Sequence, residues 1–207
     1  MIKIEAVLRA QKNIKAVVQN TPLDYMKNYS KRYDASISFK REDLQVVRSY
    51  KIRGAYNRIK NLTTFELENG VVCASAGNHA QGVALACEKL KVKGVIFMPT
   101  TTPNQKIGQV RMFGQSYVEI VLIGDTYDAS YQTASAYCTE KKSTFIHPFD
   151  DLDVMAGQGT VGLEVLDQAK ETIDYLFLPV GGGGLAAGVS SVFNVLSPTT
   201  KIIGIEP

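Results

Sequence analysis

The chain has 207 residues, 45% of them hydrophobic, enough for one large globular domain or two small ones. Its 23 Lys and Arg against 20 Asp and Glu leave a net charge of only +3 with no dense basic block, so no nucleic-acid partner is expected. Lys3, Glu5, Arg9, Lys12 and Lys15 break up the opening segment, so neither a signal peptide nor a membrane span is expected there, and the expected location is cytoplasmic.

In chain order, hydrophobic spacing and turn residues predict helices over 2–18 and 23–32, a strand over 36–40 and a helix over 54–61. A strand at 71–74, helix 80–90, strand 94–98, helix 106–113, strand 119–123 and helix 127–141 follow. Helix 155–170, strand 175–180, helix 185–196 and strand 201–205 complete the chain. Alternation of this kind is the pattern of a parallel α/β sheet, where ligands lie outside the carboxyl ends of strands. Residues 68–145 carry three strand-helix units and are expected to form a smaller α/β domain inserted into a larger one made of 1–67 and 146–207. The last strand is followed at once by the end of the chain, so a longer parent protein is expected.

Cys73, Cys87 and Cys138 are odd in number and lack CxxC spacing, which predicts reduced core residues and neither disulfides nor a zinc site. His79 and His147 are the only histidines, and neither lies in an HExxH or GxSxG context, which leaves metallohydrolase and serine-hydrolase chemistry without support. His147, before Pro148, is expected to be structural.

Three motifs carry chemistry. Gly181, Gly182, Gly183 and Gly184 stand between an apolar strand and a helix beginning at Leu185; four residues without side chains let backbone N–H groups close around a phosphate at a helix N-terminus. The plainer reading is a flexible turn. The loop lacks the Gly-Lys-Ser/Thr ending of a triphosphate site, and Gly157-Gln158-Gly159-Thr160-Val161-Gly162 fits GxGxxG but follows no strand, so its glycines read as close-packing positions in or before a helix. Ser75-Ala76-Gly77-Asn78-His79 joins a strand to a helix and offers a second anion site suited to a carboxylate, or else ordinary helix capping. Lys51, within Ser49-Tyr50-Lys51-Ile52-Arg53-Gly54, stands near a helix start, where the positive end of the dipole lowers an amine's pKa; alone it reads as a solvated surface lysine.

Together and in this order, with Thr21-Pro22-Leu23, Lys40-Arg41-Glu42-Asp43, Met98-Pro99 and Ala156-Gly157-Gln158-Gly159-Thr160, these motifs resemble the fold-type II pyridoxal-phosphate enzymes, most closely the threonine (serine) dehydratases. The resemblance spans nearly the whole chain. It implies three-layer, open, twisted parallel-sheet α/β domains, the large one truncated at its C-terminal end, and pyridoxal 5'-phosphate as cofactor. It implies that Lys51 is the Schiff-base lysine, that Tyr50 lies beside the cofactor ring and that Asn78 bonds the cofactor's 3'-hydroxyl. Ser75, Gly77, Asn78 and His79 would hold the substrate carboxylate, and Gly181 to Gly184 with Leu185 the cofactor phosphate.

The implied activity is deamination of L-threonine, and of L-serine, to 2-oxobutyrate or pyruvate with release of ammonia, a step of isoleucine biosynthesis, in a homo-oligomeric dimer or tetramer. Related serine racemases carry a second serine where this chain has Ala76, so elimination is favoured over racemisation. Glu206 matches a divalent-cation position of some relatives, and no other metal ligand is expected. The family's contact to the pyridine nitrogen would lie downstream of Pro207. A catalytically silent binding or assembly module, a serine racemase or serine dehydratase relative and a dinucleotide-binding domain are the competing expectations.

Overall fold

A computed structural model describes residues 2–206. Helix α1 (Ile4–Ile14) buries Val7, Ala10 and Ile14, one stripe at helical spacing. The predicted helix over 23–32 is split. Strand β1 (Leu23–Tyr25) pairs antiparallel with β2 (Ser38–Lys40), and helix α2 (Lys27–Tyr33) lies between them, closed by Asp34 at φ 48°. Backbone pairing with residues 38–40 and the Tyr29–Phe39 ring contact at 5.5 Å outweigh the local helical spacing of 23–25.

Helix α3 (Lys51–Lys60) starts three residues before its predicted onset. A short helix, α4 (Thr64–Glu68), follows, opened by a reciprocal capping box between Thr63 and Glu66. Then come β3 (Val71–Ala74), α5 (Asn78–Leu90), β4 (Gly94–Met98), α6 (Asn104–Gly114), β5 (Val118–Leu122), α7 (Tyr127–Lys141) and β6 (Thr144–Phe145). These four strands form one parallel sheet in the order β5-β4-β3-β6.

Alternation along the strands builds the three layers. Val71, Cys73, Ile96 and Met98 join a core with Val83, Ala84, Cys87, Ile107 and Val110 of α5 and α6, while Val72, Ala74 and Phe97 face Ala134 of α7. All three cysteines are free thiols, and burial pushes those of Cys73 and Cys87 up, Cys87 to about 12.

The chain closes with α8 (Leu152–Gln168), β7 (Tyr175–Pro179), α9 (Gly184–Leu196) and β8 (Lys201–Ile205), with β7 and β8 paired in parallel. Helix α8 packs against α1, α3 and α9. Two of these contacts require glycine. A Cβ on Gly157 would sit 2.6 Å from Arg53 O and Gly54 Cα, and one on Gly188 would sit 2.2 Å from Met155 O. The GxGxxG-like run is therefore buried helix interior and offers no loop to a pyrophosphate, in agreement with its reading as close-packing positions. Among the described residues no helix is long and apolar enough to cross a membrane.

Candidate active site

Lys51 is the first residue of α3, and its half-buried side chain donates from Nζ to Pro148 O at 2.7 Å. The amine lies 5.5 Å from the centroid of the Tyr50 ring. Burial lowers the Lys51 pKa, and among the described residues no carboxylate offsets it. The shift is toward the neutral amine.

Two residues on, Arg53 is fully buried and spans two carboxylates. It donates to Glu42 at 2.6 and 2.8 Å and to Glu164 at 2.7 and 2.8 Å, with a further bond to Thr160 Oγ1 at 3.1 Å. Lys40 completes the network by an ion pair to Glu164 at 2.6 Å. Burial alone would raise the Glu42 pKa, but the Arg53 guanidinium and the Thr21 hydroxyl hold that carboxyl below its ordinary range. Two cations and two carboxylates balance, so the start of α3 is fixed to α8 and to the 40–42 segment without a net charge beside Lys51. Sequence reasoning named Lys40 and Glu42 only as parts of a resemblance, and did not find Glu164.

The Ser75–His79 segment opens α5, whose Gly82 packs so tightly on α3 that a Cβ there would lie 3.1 Å from the Lys51 carbonyl. The N-termini of α3 and α5 are thereby neighbours. Ser75 Oγ accepts from Gly77 N at 3.2 Å, a Cβ on Gly77 would meet open space, and Asn78 is exposed. His79 points inward: its Nε2 pairs with Ile146 O at 2.8 Å, and burial, reinforced by the Lys51 charge, pushes its pKa down to about 3. It is a neutral imidazole, and among the described residues its buried Nδ1 has no partner.

The third part is the glycine loop between β7 and α9. Gly183 sits at φ +81°, left-handed backbone that favours glycine, and a Cβ on Gly181 or Gly183 would meet nothing within 4 Å. Among the described residues, the N–H groups of Gly181, Gly182 and Gly183 have no protein acceptor. The opposite side of the loop is closed by Phe149, whose ring lies 2.1 to 2.5 Å from where a Gly182 Cβ would be. Leu185 is buried in the cluster against which Tyr50 packs. The loop thus combines amides without a protein acceptor among the described residues with the positive end of a 13-residue helix.

Residues 14–207 match the family model for pyridoxal-phosphate dependent enzymes. The chain belongs to that family. Among relatives of this pyridoxal-phosphate family, the biosynthetic L-threonine dehydratase of Halalkalibacterium halodurans is 53% identical over 206 residues, all of this chain and 50% of that protein. The processed form of threonine deaminase isoform 2 from Solanum lycopersicum superposes with a TM-score of 0.90 at 45% identity, covering 98% of this chain and 56% of the other. Maize serine racemase superposes with a TM-score of 0.94 at 32% identity, covering 100% and 61%. The chain spans about half the length of the curated relatives it matches.

Of the residues singled out by sequence, Tyr50, Lys51, the 75–79 segment and the Gly181–Leu185 loop are linked through shared contacts. Glu206 is exposed beyond β8, and among the described residues no group of three or more His, Cys, Asp or Glu is placed to hold a metal ion.

Proposed function

We propose that the chain carries the lysine and phosphate-loop portion of a pyridoxal-phosphate-dependent deaminating dehydratase that converts L-threonine, and L-serine, to the 2-oxo acid and ammonia. The assigned step is that of isoleucine biosynthesis, performed in the cytoplasm by a homo-oligomer. The observation that carries this reading is the Pro148-Phe149 bridge, which touches the Lys51 amine with one residue and the glycine loop with the next.

The residues fit the cofactor. Gly181 to Gly184 would hold its phosphate on free amides, Lys51 its carbonyl carbon, Tyr50 the flank of its ring and Asn78 its 3'-hydroxyl. When bound, the cofactor supplies an electron sink for the pair left by the α-proton. Lys51 serves as the base, since desolvation lowers its pKa and shifts the amine toward its proton-accepting form. Ser75, Gly77, Asn78 and His79 orient the carboxylate through the N-terminus of α5, His79 by its backbone, since its ring is committed to Ile146. Ala76 offers no group able to return a proton to the opposite face, which favours elimination over racemisation. We also assign residues 68–145 to an inserted smaller domain, supported by the β5-β4-β3-β6 sheet lying wholly within them.

Titration with pyridoxal 5'-phosphate is expected to shift the cofactor's absorbance band on linkage to lysine, and Lys51→Ala is expected to abolish the shift and 2-oxobutyrate release. Wild-type turnover by Lys51→Ala would refute the assignment. Cofactor binding with no turnover of L-threonine would favour a silent binding module, and D-serine formed from L-serine would favour the racemase.

A further inference from the structure

We propose that His147-Pro148-Phe149 is a strap that sets the spacing between the Lys51 amine and the phosphate loop, with Phe149 a positioning residue for the phosphate. The inference rests on the assignment of Lys51 and the glycine loop to the cofactor.

The strap is fixed at both ends. Before it, Ile146 is fully buried, donates its N–H to Val72 O at 2.7 Å and gives its carbonyl to His79. After it, Asp151 caps α8 by accepting from Asp153 N and Val154 N at 2.8 and 2.9 Å, and takes Arg58 Nε at 2.8 Å. Between these anchors the chain is turned by His147, whose Nδ1 accepts from Asp150 N at 2.7 Å and Phe149 N at 3.3 Å. Two donors on Nδ1 place the ring proton on Nε2 and hold the ring edge-on to Phe149, with centroids 4.7 Å apart.

That turn leaves Pro148 buried, with its carbonyl aimed at Lys51 Nζ. The next residue lies under the loop: a Cβ on Gly184 would meet Phe149 Cα at 2.9 Å, and one on Gly182 would enter the Phe149 ring. The group that holds the amine and the group that backs the phosphate loop therefore belong to consecutive residues, whose Cα atoms are about 3.8 Å apart across one planar peptide. A shift of one end is transmitted to the other without slack. Gly182 and Gly184 are glycines because Phe149 fills the space behind them, whereas Gly181 and Gly183 face the open side.

The test compares pyridoxal 5'-phosphate with pyridoxal, which lacks the phosphate, on the full chain, with Lys51→Ala subtracting reaction at other lysines. Phe149→Ala is expected to weaken pyridoxal phosphate about tenfold and pyridoxal less than about twofold, with Phe149→Leu recovering most of the loss. Equal weakening of both ligands would reduce Phe149 to a general structural role and overturn the proposal, as would no weakening of either. Gly184→Ala disturbs the same junction from the opposite side, and its selective loss for the phosphorylated ligand is expected even where Phe149→Ala fails to fold. Absence of any Lys51-dependent absorbance change in the unmodified chain would instead refute the cofactor assignment, and the strap with it.

Discussion

The lysine end and the glycine end of the site are built on opposite principles. Lys51 stands on a helix pinned by a fully buried arginine, two carboxylates and a second cation, with α8 and α5 packed against it through glycines. The Gly181–Gly184 loop is backed by Phe149, and among the described residues the amides of Gly181, Gly182 and Gly183 have no protein acceptor. The contrast fits the proposed roles: a proton-transferring amine demands a fixed position and a lowered pKa, while a phosphate would supply its own order by filling the amides that receive it.

The largest expected effect lies at the lysine end. Arg53→Met leaves the partly buried Glu42 and Glu164 without the guanidinium they share and is expected to cost about 3 to 5 kcal/mol in denaturant unfolding. A cost below about 1 kcal/mol would show that the network does not anchor α3.

Acid sharpens the same contrast. His79 is held neutral in the folded chain, with its pKa lowered from 6.5 to about 3, so between those values the unfolded chain binds the extra proton. Stability is therefore expected to fall as pH drops through that window, by up to about 1.4 kcal/mol per pH unit, and His79→Gln should flatten the slope. Burial lowers the His147 pKa too, so part of the slope is expected to survive in that variant. Urea titrations across the window read both.

The smallest effects come from single glycines, one in the loop and one in α6. Gly183→Ala forces a side chain onto φ +81° and is expected to destabilise by about 1 to 2 kcal/mol, while Gly108→Ala, in the open middle of α6, is expected to stabilise by about 0.5 to 1 kcal/mol. Thermal melts of the pair distinguish a conformational requirement for glycine from its mere presence.

Much of the scaffold was legible because its strands are short apolar runs closed by turn residues: 71–74, 94–98 and 201–205 coincide with β3, β4 and β8. Strand β1 was not, since three residues of it are extended only because residues 38–40 lie opposite. Helix α4 was overlooked although Thr63 and Glu66 carry its capping signature. Sequence also marked the four glycines by their local chemistry, and Lys51 only through the ordered set of motifs, since alone it reads as a surface lysine. It did not mark Glu164 or Phe149, an ordinary acid and an ordinary aromatic whose partners are distant in the chain. The apolar runs of β3 and β7 look alike as text, yet β3 is wholly buried while Tyr175 and Phe177 of β7 are exposed, because coverage depends on which elements pack above a strand.

The Arg53–Glu164 pair also carries a clock. Its partners lie 111 residues apart, so at about 5 to 20 residues per second the ribosome delivers Glu164 roughly 6 to 22 seconds after Arg53. Throughout that interval the arginine waits without one of its two carboxylates. All four strands of the β5-β4-β3-β6 sheet emerge within it and are free to pair. During synthesis the lysine helix is thus among the earlier helices to be made and among the later ones to be locked.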